Sequence, residues 1–330
     1  MDWRYHQALL ATTAEPLADG LYESLYTEVL ACRLAAQPQL TPAFEKVDDD
    51  ASAEVLGRHI GELARAALAE AKPENRVALA NNFLQALQHP DSIHAGPQQL
   101  LSLAAPEKLR RRNLRRPITR LSDAALLTNG KDDPNLAGEI RAEMASANSV
   151  DLLCAFIRWT GLRLLEPALE DLRDRGVRLR VITSTYMGAT ERRAVDLLVR
   201  KYGAEVRINY ETHATRLHAK AWLFRRNTGF DTSYVGSSNL SQAAMLDGLE
   251  WNVRLSSVGT PKLLQKFEIT FDSYWEQRTF QPYDPDIDGE ELDAALERNG
   301  GRAVSSPDAY TGLEIQPQGR AGICGSRVRR

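Results

Sequence analysis

The chain has 330 residues, 43% of them hydrophobic and 26% charged, with 41 Lys and Arg against 44 Asp and Glu for a formal net charge of -3. That composition fits a globular protein with core enough for one large domain or two moderate ones, and it excludes a chain that holds nucleic acid through bulk positive charge. No run nears the roughly 18 apolar residues that span a bilayer. Met1-Asp2-Trp3-Arg4 opens no signal peptide, and the scattered Cys32, Cys154 and Cys324 suit neither a disulfide framework nor a zinc site. A cytoplasmic protein without metal or cofactor and without a membrane partner is expected.

Residues 1–115 are expected to form a small helical N-terminal domain. Apolar residues three and four apart predict amphipathic helices over 21–30 and 55–64, with shorter ones over 75–87 and 97–103. His59, His89 and His94 lack acidic partners at ligand spacing and read as surface or packing residues. Positions 108–120 carry Lys108, Arg110, Arg111, Arg112, Arg115, Arg116 and Arg120 with no acid among them. This run is either a solvated linker or a patch for phosphate backbone; in the second case Arg110, Arg111, Arg112, Arg115 and Arg116 are candidate substrate contacts.

From 117 to 282 strands and helices alternate. Strands are expected over 124–127, 150–157, 177–183, 204–208, 217–224, 233–235 and 250–255. Helices are expected over 135–147, 161–175 and 190–202, from 240 onward and over 261–275. The fold class is therefore α/β, a sandwich with a mixed central β-sheet flanked by helices. Cys154, Trp222 and Trp251 are expected in its core. Arg158 and Trp159 after one central strand, and Thr185 and Tyr186 after the next, are candidate substrate-binding residues, because ligands collect at strand ends in open α/β sheets. The stretch 283–330, acidic and then rich in Gly, Ser and Arg, is expected to be a mobile tail.

One constellation carries chemistry: His218-Ala-Lys220, then Gly236-Ser237-Ser238-Asn239, then Glu250. A phosphodiester repels anionic nucleophiles, so a site without metal needs a strong neutral nucleophile and fixed donors for the phosphate oxygens. Imidazole supplies the first. Alternation along a strand would put His218 and Lys220 on one face, the ammonium binding a non-bridging oxygen. Asn239 would add an amide donor and Ser237 a hydroxyl. Glu250 would bond the second ring nitrogen of His218 and fix its tautomer.

In this order the residues resemble the phospholipase D superfamily, whose signature is HxK, then GSxN, then an acid on a later strand. The resemblance implies a metal-independent phosphodiesterase working through a phosphohistidine, in a nuclease branch acting on nucleic acid, DNA above all. The family's HxKxxxxD departs here, since Arg225 stands at the aspartate position. His213 has no lysine two residues on, so the motif occurs once. Because one histidine attacks and a second protonates the leaving oxygen, a homodimer sharing one active site is expected.

Residues 312–317 resemble the junction in bacterial DEAD/DEAH-type helicases that carry an N-terminal phospholipase D-like domain. The likeness implies a helicase partner, a role in restriction or phage defence, and a tail left from a longer form. No GxxxxGK[ST] loop is present, so the chain itself is not expected to hydrolyse ATP. Two other readings stand beside the nuclease. One is a catalytically weak nucleic-acid-binding module of a helicase-type system, and the other a lipid phosphodiesterase.

Overall fold

In the first of the chain's two units, Met1–Ala104, the hydroxyl of Thr27 accepts a hydrogen bond from Leu30 N and caps helix α1 (Glu28–Ala35). The computed structural model describes residues 16–17, 24–39, 41–94, 96, 98–101, 116–130, 133–211, 217–246 and 248–300. The Thr27 cap moves the first helix seven residues past its expected start at 21, since residues 24–27 are not helical. Helices α2 (Asp49–Glu70) and α3 (Arg76–Ala86) follow. Residues 98–101 form no helix, against the expectation over 97–103. Neither α1 nor α3 contains a buried residue.

The second unit, Ala105–Arg330, holds the sheet. Its strands are β1 (Ala125–Leu127), β2 (Ser149–Cys154), β3 (Arg178–Ser184), β4 (Glu205–Asn209), β5 (Lys220–Arg225), β6 (Thr232–Gly236), β7 (Asn252–Ser256) and β8 (Phe280–Pro282). Between them lie α4 (Leu136–Ser146), α5 (Trp159–Asp174), α6 (Arg192–Arg200), α7 (Gln242–Leu246) and α8 (Pro261–Glu276); α9 (Gly289–Gly300) ends the described chain. The strand order is β1-β7-β6-β5-β2-β3-β4-β8. Pairings of β2 with β3 and β3 with β4 are parallel and the others antiparallel, so the expected mixed α/β sheet is present.

The period of two divides the sheet into two faces. Val150, Leu152, Trp222, Phe224 and Tyr234 lie on the first and join the main core. There they meet Leu162, Leu165, Leu169 and Leu172, whose three- and four-residue spacing makes one apolar stripe along α5. The second face carries Leu153, Ile182 and Ala221, covered by Phe271 and Trp275 of α8. In register with Ala221 on that face run Val235, Val253 and Leu126. These three are 39%, 45% and 46% exposed, so this part of an apolar face is open to solvent.

Two buried carboxylates, Glu143 and Asp151, are each paired with two arginines, which offsets their desolvation. Glu143 of α4, fully buried, accepts from Arg254 Nη2 at 2.9 Å, Tyr234 Oη at 2.9 Å, Thr232 Oγ1 at 2.9 Å and Arg226 Nη2. Asp151 on β2 accepts from Arg180 of β3 at 2.7 and 2.8 Å, and from Arg225 of β5 on its other side.

Two further sequence expectations fail outside the site. Residues 289–300, placed in the tail, form α9, whose Leu292 and Ala295 are buried. Its apolar i, i+3 pair was masked by the surrounding Glu and Asp. Residues 301–330 lie outside the described residues. Trp251 is 67% exposed rather than core, because it precedes β7 in the turn that brings the chain back to Ser237; Trp222 and Cys154 are buried as expected.

Candidate active site

Four loops converge at one edge of the sheet, after β2, β3 and β6 and before β5. Two glycines allow their close approach. A Cβ on Gly236 would lie 2.2 Å from Trp251 O, and one on Gly161, in the first turn of α5, 2.4 Å from the backbone carbonyl carbon of Leu240. Only glycine lets β6 and α5 close so tightly on the segment that carries Asn239.

His218 and Lys220 come together, though not as expected from strand alternation. Strand β5 begins at Lys220, leaving His218 exposed on the approach to it. Lys220 Nζ lies 3.0 Å from His218 Nδ1 and 3.2 Å from Nε2. The partial desolvation of the His218 ring against its neighbours, and then the Lys220 charge, hold the imidazole below its ordinary pKa although the residue is exposed, which favours the neutral ring. Burial also lowers the Lys220 ammonium from its usual value, against the opposing pull of Cys154 and Glu250. Lys220 is only 6% exposed and makes no carboxylate ion pair among the described residues.

Asn239 is buried, and its side-chain oxygen accepts from Phe156 N at 3.3 Å and faces Cys154 Sγ at 3.7 Å. With the oxygen held, Nδ2 is the atom left to donate. The thiol is pinned in turn: it accepts from Leu240 N at 3.2 Å and donates to Phe156 O at 3.1 Å. Burial pushes it up to about 11, so it stays a thiol. Sequence reasoning missed these supports for Asn239; the partners are 83 and 85 residues away and carry no local signal.

Glu250 departs from its expected role. It makes no hydrogen bond to His218; its Oε2 accepts from Ser237 Oγ, which in turn accepts from Trp251 N at 3.1 Å. Ser237 is therefore bound to the β6–β7 connection rather than presented as a free hydroxyl. The Tyr186 ring faces His218 edge-on, with its centroid 6.4 Å away.

The other candidates separate. Thr185 is fully buried, with Oγ1 accepting from Asn299 Nδ2 at 2.9 Å and lying 3.5 Å from Asn209 O; it supports the loop and cannot reach a substrate. Arg158, half-buried, donates through its backbone N to Leu240 O at 2.9 Å and so stands next to Asn239, its guanidinium 6.0 Å from the Phe156 ring. Trp159 packs partly on the main core. Arg110, Arg111, Arg112 and Arg115 lie outside the described residues, and Arg116 is exposed. Among the described residues no group of three His, Cys, Asp or Glu side chains is placed to hold a metal ion.

Residues 140–275, which contain His218, Lys220, Ser237, Asn239 and Glu250, match the family model described as "Cardiolipin synthase, PLD-like domain". Among solved structures the chain is similar to NucT from Helicobacter pylori, at 13% identity over 49% of this chain and 99% of that one, with a TM-score of 0.39. It is also similar to Nuc from Salmonella typhimurium, a phospholipase D family member, at 17% identity over 49% and 97% of the two chains and a TM-score of 0.36. Phosphatidylserine synthase from Haemophilus influenzae Rd KW20 aligns at 11% identity over 53% of this chain and 44% of that one, with a TM-score of 0.35. Comparison with the curated proteins gives no match.

Proposed function

From the match of residues 140–275 to a PLD-like domain and the geometry around His218, we propose that this chain hydrolyses phosphodiester bonds of nucleic acid, with His218 as nucleophile and two copies of the chain sharing one active site. The observation that carries the reading is the buried Lys220 ammonium, without a carboxylate ion pair among the described residues and in contact with the exposed His218 ring. A buried cation with no counter-charge is stabilised by an anionic ligand, and the phosphate of a diester supplies one next to the attacking nitrogen.

In the first step a ring nitrogen of His218 attacks phosphorus. The N–P bond forms as the P–O bond to the leaving alcohol breaks, and the leaving oxygen takes a proton from His218 of the partner subunit. In the second step water attacks phosphorus and gives its proton to the now neutral His218 of the partner subunit; the N–P bond breaks and the phosphate monoester leaves. Lys220 and Asn239 Nδ2 bind the oxygens whose charge grows in both steps. The open apolar stretch of sheet at Leu126, Val235 and Val253, continued by exposed Trp251 and Leu249 beside the site, supports burial against a second copy.

Nucleic acid is the diester proposed because Arg158, over Phe156 and next to Asn239, is placed for a flanking phosphate, and because the sequence motif resembles nuclease branches of the superfamily. A helicase partner and a defence role rest on the sequence resemblance alone; residues 312–317 lie outside the described residues. One observation favours the second reading, a binding module with weak turnover: Glu250 bonds Ser237, and His218 has no orienting carboxylate among the described residues.

The test is incubation with DNA in excess EDTA, with an acid-free quench to trap phosphohistidine. Cleavage that survives chelation and is abolished by His218→Ala is expected. Salt-dependent binding without turnover, unaffected by His218→Ala, would replace the nuclease by the binding module.

A further inference from the structure

We infer that the rim beside Asn239 is a subsite for the unpaired bases of single-stranded nucleic acid, formed by Arg193 stacked on Trp159 with Arg158 beside it. The inference rests on the nucleic-acid reading above and adds to it the strand class.

Three features converge. The Arg193 guanidinium lies 4.6 Å from the centre of the Trp159 ring, and Arg193 is exposed. Its neighbours on α6 are neutralised: Arg192 pairs with Asp196 and Asp293, Arg200 with Asp286, and Lys201 with Glu166 and Glu170. Arg193 and Arg158 have no carboxylate partner among the described residues, and each lies over an aromatic ring instead. Trp159 and Arg193 also line a cleft of about 480 Å³ between α5 and α6.

This pair is tied to the active edge through backbone. Trp159 N donates to Glu191 Oε2 at 2.9 Å, and Glu191 N to Ile157 O at 2.9 Å, which fixes the start of α6 against the start of α5. Phe156 N holds Asn239, and Arg158 N holds Leu240, so the stacked pair begins three residues from the asparagine support.

An exposed guanidinium held over an indole offers its outer side to a base, and it carries a charge for the adjoining phosphate. A duplex keeps its base faces covered, whereas a single strand can offer them. A strand crossing from His218 past Arg158 would therefore set a base on Arg193.

The test compares a short oligothymidylate with an abasic strand of the same length, bound to the full chain carrying His218→Ala so that neither probe is cut. Arg193→Ala should weaken oligothymidylate binding about tenfold, the scale of one stacked base, and abasic binding much less. Arg193→Lys should restore the salt-dependent part of the loss but not the base-dependent part. Trp159 packs partly on the core, so Arg193 is the position to vary, with an unchanged melting temperature showing that the variant is folded.

Equal losses on both strands would reduce Arg193 to a charge contact and overturn the stacking subsite, as would no loss at all. If the unsubstituted chain hydrolyses a small aryl phosphodiester but the His218→Ala chain binds neither strand, the nucleic-acid reading itself fails and the subsite with it.

Discussion

Lys220 Nζ sits within 3.2 Å of both ring nitrogens of His218. A cation in that position disfavours protonation of the ring, and burial acts in the same direction, so the folded-state pKa of His218 lies below the ordinary 6.5. A lowered histidine pKa means the neutral form persists as pH falls past 6.5. The acid limb of kcat/KM on a small diester, and the His218 ring titration followed by NMR, should both fall below that value. Lys220→Met removes one of the two causes and should move the titration upward, while cutting the rate by about 10²–10³ as an oxyanion donor is lost. A titration unmoved by Lys220→Met would show that the contact does not govern the ring.

Glu143 joins two buried arginines to the helical layer, with Arg254 and Glu143 both fully inaccessible. Removing the carboxylate strands Arg254 and Arg226 without an anion, so Glu143→Ala should cost about 3–5 kcal/mol, measured by denaturant unfolding. The exposed pair Arg178–Glu205, at 2.6 Å, is the control: Glu205→Ala should change stability by no more than about 1 kcal/mol.

The proposed dimer predicts what a charge on the open sheet face does. Val253 lies between Leu126 and Val235 across the strands, and a carboxylate buried there against a second copy would have no partner. Val253→Glu should shift the sedimentation of the protein from dimer to monomer. It should also lower small-diester hydrolysis by about a hundredfold or more, since the general acid comes from the partner subunit. A variant that remains dimeric and fully active would remove this face from the interface.

Much of the sheet was legible because its central strands carry Val, Leu and Ile between helices of matching period, as Val150, Leu152 and Leu153 do in one strand and Leu179, Val181 and Ile182 in the next. The His218–Lys220 contact was legible from spacing, although its cause is not strand alternation, since the strand begins at Lys220. What stayed hidden depends on contacts distant in sequence. Ser237 and Glu250 were given separate tasks, and only the closing of the β6–β7 connection brings them to each other. Trp251 looked like core by composition and is exposed by its place in a turn, while α9 looked like a polar tail and is folded through two small apolar contacts. Arg193 drew no notice because its meaning comes from Trp159, thirty-four positions earlier, lying under it.

Arg225, at the position where the superfamily motif has aspartate, shows how the departure is accommodated. Its guanidinium bonds Asp151, itself 1% exposed, and reaches Glu268 at 3.5 Å. The acid thus lies on the neighbouring strand β2, where it also takes two bonds from Arg180. Arg225→Asp would set a second carboxylate beside a buried one and withdraw one of its two cations, at a cost of about 3–5 kcal/mol. Asp151→Asn added to Arg225→Asp removes the repulsion, so the double variant should be more stable than the sum of the single losses allows. Because the pair spans β2 and β5, whose ends carry Phe156 and Lys220, the single variant should also lose activity in proportion to its unfolding. Strictly additive losses in the cycle would mean that Asp151 and Arg225 are not coupled, and the departure from the motif would need another explanation.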